Sequence, residues 1–513
     1  MVFSFSLPTT SHLSFQSYLI SPTHPSLPSC ASTARHALRV ALKKHKATLP
    51  SQRAAHLPHI LKALNEYIPY LFALSRGLSS NPASGSGAEN EDVDVVLRAE
   101  IEVQWRATLS SPASSLHVLH RGGRDRRIKG CGLDFEVAFV LTTLGYVLSL
   151  LARTKILKTL YANTTPTVEQ KTAAAQGAMK NLIAVSSVHT FLASSGLSSA
   201  EVGNGQISGP VPDLDPSTQS ALSSLAMAEA TLLAVVKDDA YLSTCIQARN
   251  KHDTEWMIKA PDIPKVRTLL FARLCIRAAE YAEQAAASAG AVKSCGSTSP
   301  ESVRTDRRKL DEDLISYMRV LARVARAKAC RFFGIDAEMT GKVGEGIAWL
   351  RAGKSALGIK GSLEGDEEVS GSKGKGRIGF SRLKTQWSER REERKLEETT
   401  STKKGEPLRE LDWGDDAGKE EEERVLEMLE TKWTRMNNTI NTQAIPSSAS
   451  YLSNLPSGRD IHPPPGPYIP PLLDSEHLAR MRAPPESPEP VVIAESSEEE
   501  GDIASSGRSG GYF

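Results

Sequence analysis

Elements of covalent chemistry are what this 513-residue chain lacks most. Its six cysteines (Cys30, Cys131, Cys245, Cys275, Cys295 and Cys330) are scattered, none forms a C-x-x-C, and no histidine pair sits at a matching spacing. That excludes a zinc ribbon and a dithiol redox motif, and it fits free thiols in a reducing compartment. Gly353-Lys354-Ser355 looks like the end of a phosphate-binding loop, but the loop needs glycine at position 348, where Ala348 stands. His56/His59 and His117/His120 are i, i+3 pairs, one broken by Pro58 and the other in a Ser/Arg-rich stretch, so they read as surface histidines. No Cys/His/Asn constellation stands in a catalytic context. The expectation is no enzyme, no cofactor and no metal.

Charge imbalance is also missing. With 62 basic and 60 acidic residues the net charge is +2, too little for a global field toward nucleic acid, and no nucleic-acid partner is expected. The N-terminus has no basic segment followed by an apolar core, and Pro8, Pro22, Pro25 and Pro28 interrupt it, so it does not read as a secretory signal. Long apolar runs are nearly absent. Val137 to Ala152 is uncharged but shorter than the roughly 20 residues of a spanning helix, so it reads as a buried core helix.

What is present is helical periodicity. Residues 1–30 alternate weakly between prolines (Phe3, Phe5, Leu7, Leu13, Phe15), which suggests a small N-terminal β element. Helices are expected over Thr33–Lys46, Leu57–Leu74 (kinked or interrupted at Pro69), Val93–Trp105, Leu133–Leu160, Val168–Leu192, Thr218–Val236, Tyr241–Trp256, Lys265–Ala289, Lys309–Phe333 and Thr340–Leu357. Ser110 to Cys131 reads as a loop carrying a basic cluster of Arg121, Arg124, Arg126, Arg127 and Lys129. That cluster is either a solvated loop or a weak, salt-sensitive contact with an anionic membrane face. Ala325, Ala329, Gly341, Gly344 and Gly346 allow two consecutive helices to approach closely. About ten helices with short connections imply an all-α, solenoid-like (TPR-like) domain over residues 1–360, without the strict 34-residue period of a regular TPR array.

After Gly358 the composition changes. Residues 361–376 are mostly Gly, Ser, Lys and Glu, a flexible linker by composition, and the remainder to 513 is charged and Pro-rich. Pro463-Pro464-Pro465, Pro467, Pro470 and Pro471 favour polyproline II, and Glu498–Glu500 are acidic. This tail is expected to be largely disordered, with one isolated amphipathic helix near 420–440. Its stripe of Val425, Leu429, Met436 and Ile440, with Trp433 between, needs a partner surface to persist: the chain's own domain or another protein.

Lys342-Val-Gly-Glu-Gly-Ile-Ala-Trp-Leu350 resembles the last paired helices of the BRO domain, the helical adaptor module of Alix-type proteins that dock on ESCRT-III. Within that family the chain resembles the fungal ambient-pH-response branch at Tyr67–Leu74, Leu133–Leu144, Arg249–Pro261, Leu455–His462, Ala479–Pro485 and the terminal Tyr512-Phe513. The resemblance implies a non-catalytic adaptor, cytoplasmic and recruited to plasma-membrane cortical sites or endosomes in alkaline medium. There it would bind an ESCRT-III core subunit through that subunit's C-terminal amphipathic helix, together with other components of the signalling complex, and so support proteolytic activation of a zinc-finger transcription factor. A general endosomal-sorting adaptor is the alternative. The resemblance also places docking on the stretch Leu225–Ile246, at Leu232, Leu233, Val236, Tyr241, Cys245 and Ile246. Periodicity alone reads most of these as core.

Overall fold

A computed structural model of the chain describes residues 2–79, 93–111, 127–162, 166–196, 211–247, 265–292, 309–359 and 415–484. The chain enters through extended segments and forms an antiparallel helix pair, α1 (Leu27–Ala47) and α2 (Pro50–Leu78). Helix α1 starts earlier than its polar N-cap signals suggest. Pro28 fits a first helical turn, and Leu27 and Ala31 are fully buried. Lys44 and Lys46 place positive charge at its C-terminus, which suits the helix dipole. Helix α2 runs through both Pro58 and Pro69. Burial of Leu64, Tyr67, Ile68, Leu71 and Leu74 on either side of Pro69 outweighs the lost main-chain bond, so the expected interruption does not occur.

The helix expected over Val93–Trp105 is instead β2 (Val96–Leu97) and β3 (Glu102–Trp105). Period-two burial decides it: Ile101, Val103 and Trp105 are buried while Glu102 is exposed. Strand β2 pairs antiparallel with β1 (Leu19–Ile20), and β3 with β5 (Ile128–Cys131). A third short pair joins β4 (Ser110–Ser111) to β6 (Lys309–Leu310). The β element is therefore three two-stranded ladders, and Ile128–Cys131 is strand where a loop was expected.

The remaining described helices form the array: α3 (Leu133–Leu160), α4 (Val168–Ser194), α5 (Pro216–Val236), α6 (Ala240–Gln247), α7 (Lys265–Ala291), α8 (Glu312–Met339) and α9 (Val343–Leu357). Helices α3, α4, α5, α7, α8 and α9 each pack on the next in that order, as in a solenoid. Thr167 and Gln170 form a reciprocal capping box on α4, and Asp311 caps α8. Helices α3 and α5 are long and apolar enough to cross a membrane, but both are mostly buried within the fold.

A buried polar cluster ties α1, α2, α3 and β3 together. The Glu136 carboxylate accepts from Arg35 Nε at 2.8 Å, Tyr67 Oη at 2.8 Å and Trp105 Nε1 at 2.6 Å. Each polar atom removed from water there has a partner, which is what such burial requires. Between α8 and α9 the backbones approach closely. A Cβ on Gly346 would stand 3.1 Å from the Gly334 carbonyl and 3.4 Å from the Trp433 ring. The expected closeness of these two helices is met at Gly346.

The amphipathic tail segment forms α10 (Lys419–Met436), but it is not isolated. Val425, Leu426, Leu429 and Trp433 are buried in the same apolar cluster as α5, α7 and α8. The stripe ends sooner than expected: within the π turn at Asn437–Asn441, Ile440 is 75% exposed. Beyond it, α11 (Ser448–Ser453) rests on α9 through Tyr451 and Trp349, whose ring centroids are 4.5 Å apart. Helix α12 (Ser475–Met481) returns to α2, where the Tyr70 hydroxyl and His477 Nε2 are 2.7 Å apart. Residues 415–484 therefore complete the helical body.

Candidate docking face at helices α5 and α6

Helix α5 is apolar on every side. From Leu225 to Val236 every residue is buried, because α4 covers one side and α7 the other. The turn Lys237-Asp238-Asp239 reverses the chain into α6, and Asp239 Oδ1 accepts the main-chain N–H of Leu242 at 3.1 Å. The six candidate docking residues lie together here, but none presents outward. Leu232 and Leu233 are 1% exposed, Val236 and Cys245 3%, Ile246 8% and Tyr241 9%. Leu232, Tyr241 and Cys245 belong to the cluster shared with α7, α8 and α10. Leu233, Val236 and Ile246 join a second cluster with Ala152, Ile156 and Leu182 of α3 and α4. The expectation of an exposed apolar groove at these positions is corrected: neighbouring helices already occupy it.

Helix α10 is one of the covering elements. Its Glu421 carbonyl lies 3.8 Å from Cys245 Sγ, and the Glu421 carboxylate accepts from the Tyr161 hydroxyl at 3.4 Å. Burial pushes the Cys245 thiol up to about 11, so it is no nucleophile at neutral pH.

Beneath this contact lies a four-residue ion network with no solvent exposure. Glu422 accepts from Lys328 Nζ at 2.6 Å and from Arg331 Nε at 2.7 Å, and Arg331 Nη2 reaches Asp239 Oδ2 at 2.5 Å. Burial alone would raise the Asp239 carboxyl, but Arg331 and then Lys328 outweigh it and hold it below the ordinary range. Two cations from α8, one anion from the α5–α6 turn and one from α10 balance formally. The network joins three elements separated by roughly a hundred residues each.

The sequence reading passed over all four residues. Glu422 sits within Glu420–Glu423, which looks like a solvated acidic run. A usable signal existed in α8: Lys328 and Arg331 are an i, i+3 pair between Ala327 and Phe332, charges on a face otherwise built of small and apolar residues.

A further buried carboxylate, Glu229, lies on α5 itself. Glu229 Oε1 accepts from the Phe3 main-chain N–H at 2.9 Å and from the Tyr317 hydroxyl at 3.1 Å. Burial drives this carboxyl up to about 7, and the two hydrogen bonds offset only part of that. On α4, His189 is fully buried and pushed down to about 4, its Nδ1 2.7 Å from Gln219 Oε1. These groups fix elements to one another.

Of the basic cluster, Arg121, Arg124 and Arg126 lie outside the described residues, as do His117 and His120. Lys129 is exposed on β5 and Arg127 is half-buried beside it. His56 and His59 are on α2, half-buried and exposed, and no group of three potential metal ligands occurs among the described residues.

No family model matches the chain. The pH-response regulator protein palC of Emericella nidulans is 55% identical over 498 residues, covering 94% of this chain and 92% of the relative. Among solved structures, ALIX in complex with the SIVmac239 PYKEVTEDL late domain matches at TM-score 0.50 and 15% identity. The match covers 92% of this chain and 49% of ALIX, so the chain spans about half of that protein. The ALIX BRO1 CHMP4C complex matches at TM-score 0.47 and 14% identity, over 91% of this chain and 96% of that one, too distant to add weight. The likeness to ALIX shows the fold alone, an all-α BRO-type array. Identity over nearly the whole of both chains shows the family, and the chain belongs to the palC family of pH-response regulators.

Proposed function

We propose that this protein is a non-catalytic adaptor of the alkaline-pH response, binding the C-terminal amphipathic helix of an ESCRT-III subunit and thereby supporting proteolytic activation of a zinc-finger transcription factor. The observation that carries the reading is the end-to-end relation to palC, which extends over the residues that form α10 and the segments after it. The fold supports it too: a long array of packed helices supplies surface for other proteins, and its buried carboxylates and thiols are committed to packing. On this reading the protein is cytoplasmic and works at endosomes or plasma-membrane cortical sites, with Arg127 and Lys129 available for weak contact with an anionic leaflet.

Leu232, Leu233, Val236, Tyr241, Cys245 and Ile246 serve this function as the floor of the face. For an incoming helix to touch Leu232, Tyr241 and Cys245 directly, α10 would have to leave α6 and strip Lys328 and Arg331 of Glu422. Breaking a buried pair of this kind costs about 3–5 kcal/mol, a penalty of a hundredfold or more in affinity.

The cellular test is a deletion strain grown in alkaline medium, with the transcription factor followed by immunoblot. Processing should fail and return with the intact gene; normal processing in the deletion refutes the reading. The molecular test is calorimetry with the ESCRT-III C-terminal peptide and the full-length protein. Leu232→Ala and Ile246→Ala should lower the melting temperature while leaving affinity within about twofold. An affinity loss above about tenfold with an unchanged melt would make these residues the contact site and α10 a removable cover.

A further inference from the structure

Residues 461–473 read Ile-His-Pro-Pro-Pro-Gly-Pro-Tyr-Ile-Pro-Pro-Leu-Leu, with no charged side chain apart from what His462 can carry. The segment crosses the outside of the helical body between two anchors. At the first, Gly458 lies so close to α7 that a Cβ there would stand 2.6 Å from Arg277 Cα, and the Arg459 main-chain N–H donates to the Arg273 carbonyl at 3.1 Å. Asp460 Oδ1 accepts from Arg277 Nε and from the Tyr281 hydroxyl, both at 2.7 Å. At the second, the Tyr468 ring packs against Phe191 of α4 with centroids 5.6 Å apart, followed by the Tyr70–His477 contact on α2.

Between the anchors, exposure repeats every third residue. His462, Pro465 and Tyr468 are half-buried against the body, while Pro463, Pro464, Gly466, Pro467 and Ile469 are exposed. A three-residue period with prolines setting φ is the signature of a polyproline II helix. That helix has three edges, and here one is laid on the protein and two face water. The outward edges carry more apolar surface than solvation explains. Ile461 is 46% exposed, Leu472 52% and Ile469 80%, three of the ten large exposed hydrophobics among the described residues, gathered within twelve positions.

We propose that residues 461–473 are a docking ligand displayed in a preformed polyproline II conformation for a partner domain with an aromatic-lined groove, of the SH3 type. Such grooves take two edges of the helix and leave the third free, which matches the two edges shown here. Fixing both ends in advance removes ordering entropy that a loose peptide would lose on binding. A tyrosine-reading WW groove fits less well, because Tyr468 is turned onto Phe191. This inference stands apart from ESCRT-III binding, because its anchors lie on α7, α4 and α2 and it uses none of the α6 residues.

The test uses the full-length protein against an immobilised panel of purified SH3 and WW domains. At least one SH3 domain should bind, and Pro464→Ala combined with Pro467→Ala should weaken it by about tenfold or more. Pro465→Ala, on the edge facing the body, should change it by less than about threefold. Thermal melts of the Pro464/Pro467 variant should match the parent, since both prolines are exposed. No SH3 binder, or binding that survives the double variant, overturns the proposal. So does binding confined to WW domains. A third arm offers vesicles of phosphatidylcholine with phosphatidylserine. Sedimentation abolished by Ile469→Ser with Leu472→Ser would assign the exposed apolar edge to lipid and refute protein docking.

Discussion

Replacing Glu422 with alanine tests whether α10 is a constitutive wall of the domain. The substitution leaves Lys328 and Arg331, both with no exposed surface, with Asp239 as the sole remaining counter-ion of the network. The formal balance of the buried site goes from zero to +1. Lys328 loses its 2.6 Å partner, and Arg331 keeps only the contacts to Asp239. Removing one member of a buried pair costs about 3–5 kcal/mol, mostly because the remaining charge is left desolvated. A surface comparison is built into the same helix. Glu430 pairs with Arg351 and Lys354 at 2.9 and 2.8 Å, all three partly solvated, so Glu430→Ala should cost no more than about 1 kcal/mol. Urea denaturation of the full-length protein, followed by tryptophan fluorescence and circular dichroism, separates the two because Trp433 lies in α10 itself. Coincident curves for both probes, shifted strongly for Glu422→Ala and weakly for Glu430→Ala, are expected. If Glu422→Ala shifts stability by less than about 1 kcal/mol, α10 is not held by the network and its place as a fixed wall fails.

Three further outcomes follow from the same packing. Glu229 has a native carboxyl near 7 against about 4.5 in the unfolded chain, so the native state holds a proton that the unfolded chain releases between those values. Its contribution is therefore complete below about pH 4.5 and is lost as pH rises toward 7, by about 3 kcal/mol; Glu229→Gln should flatten the stability–pH curve in that window, and an unchanged slope would contradict the assignment. An engineered protease site within residues 370–376 should, after cleavage, leave the fragment carrying 415–484 bound to the rest through gel filtration, whereas separation of the two would mark 361–513 as a separate tail. Gly344→Ala would bring a Cβ to 2.3 Å from the Ala444 carbonyl, so chemical denaturation should show a loss of about 1–3 kcal/mol, and no loss would mean that the 442–447 segment is not seated on α9.

The long helices were legible because their signals are local. The uncharged run in α3 needs no knowledge of what lies across the core. The strands were misread because Val93–Trp105 is short and mixes valines with charges, and period two shows only when Ile101, Val103 and Trp105 are seen to share a buried side. Helix α10 was visible as a helix, but its partner was not. The pairing of Glu422 with Lys328 and Arg331 joins positions over ninety residues apart, and an acidic run gives no hint of which member turns inward. The burial of Leu232, Leu233, Val236, Tyr241, Cys245 and Ile246 has a different reason, and it was present in the sequence. A helix with one wet side shows a polar stripe at a period of 3.6 residues, and Leu225–Val236 has none, Glu229 being the lone charge. Apolar character all round means burial all round, as α4 and α7 on either side of α5 provide. A partner helix needs an apolar strip bordered by polar flanks, and α7 keeps a solvated side of that kind, where Leu269 is 48% exposed near Arg267 and its ion pair to Asp238.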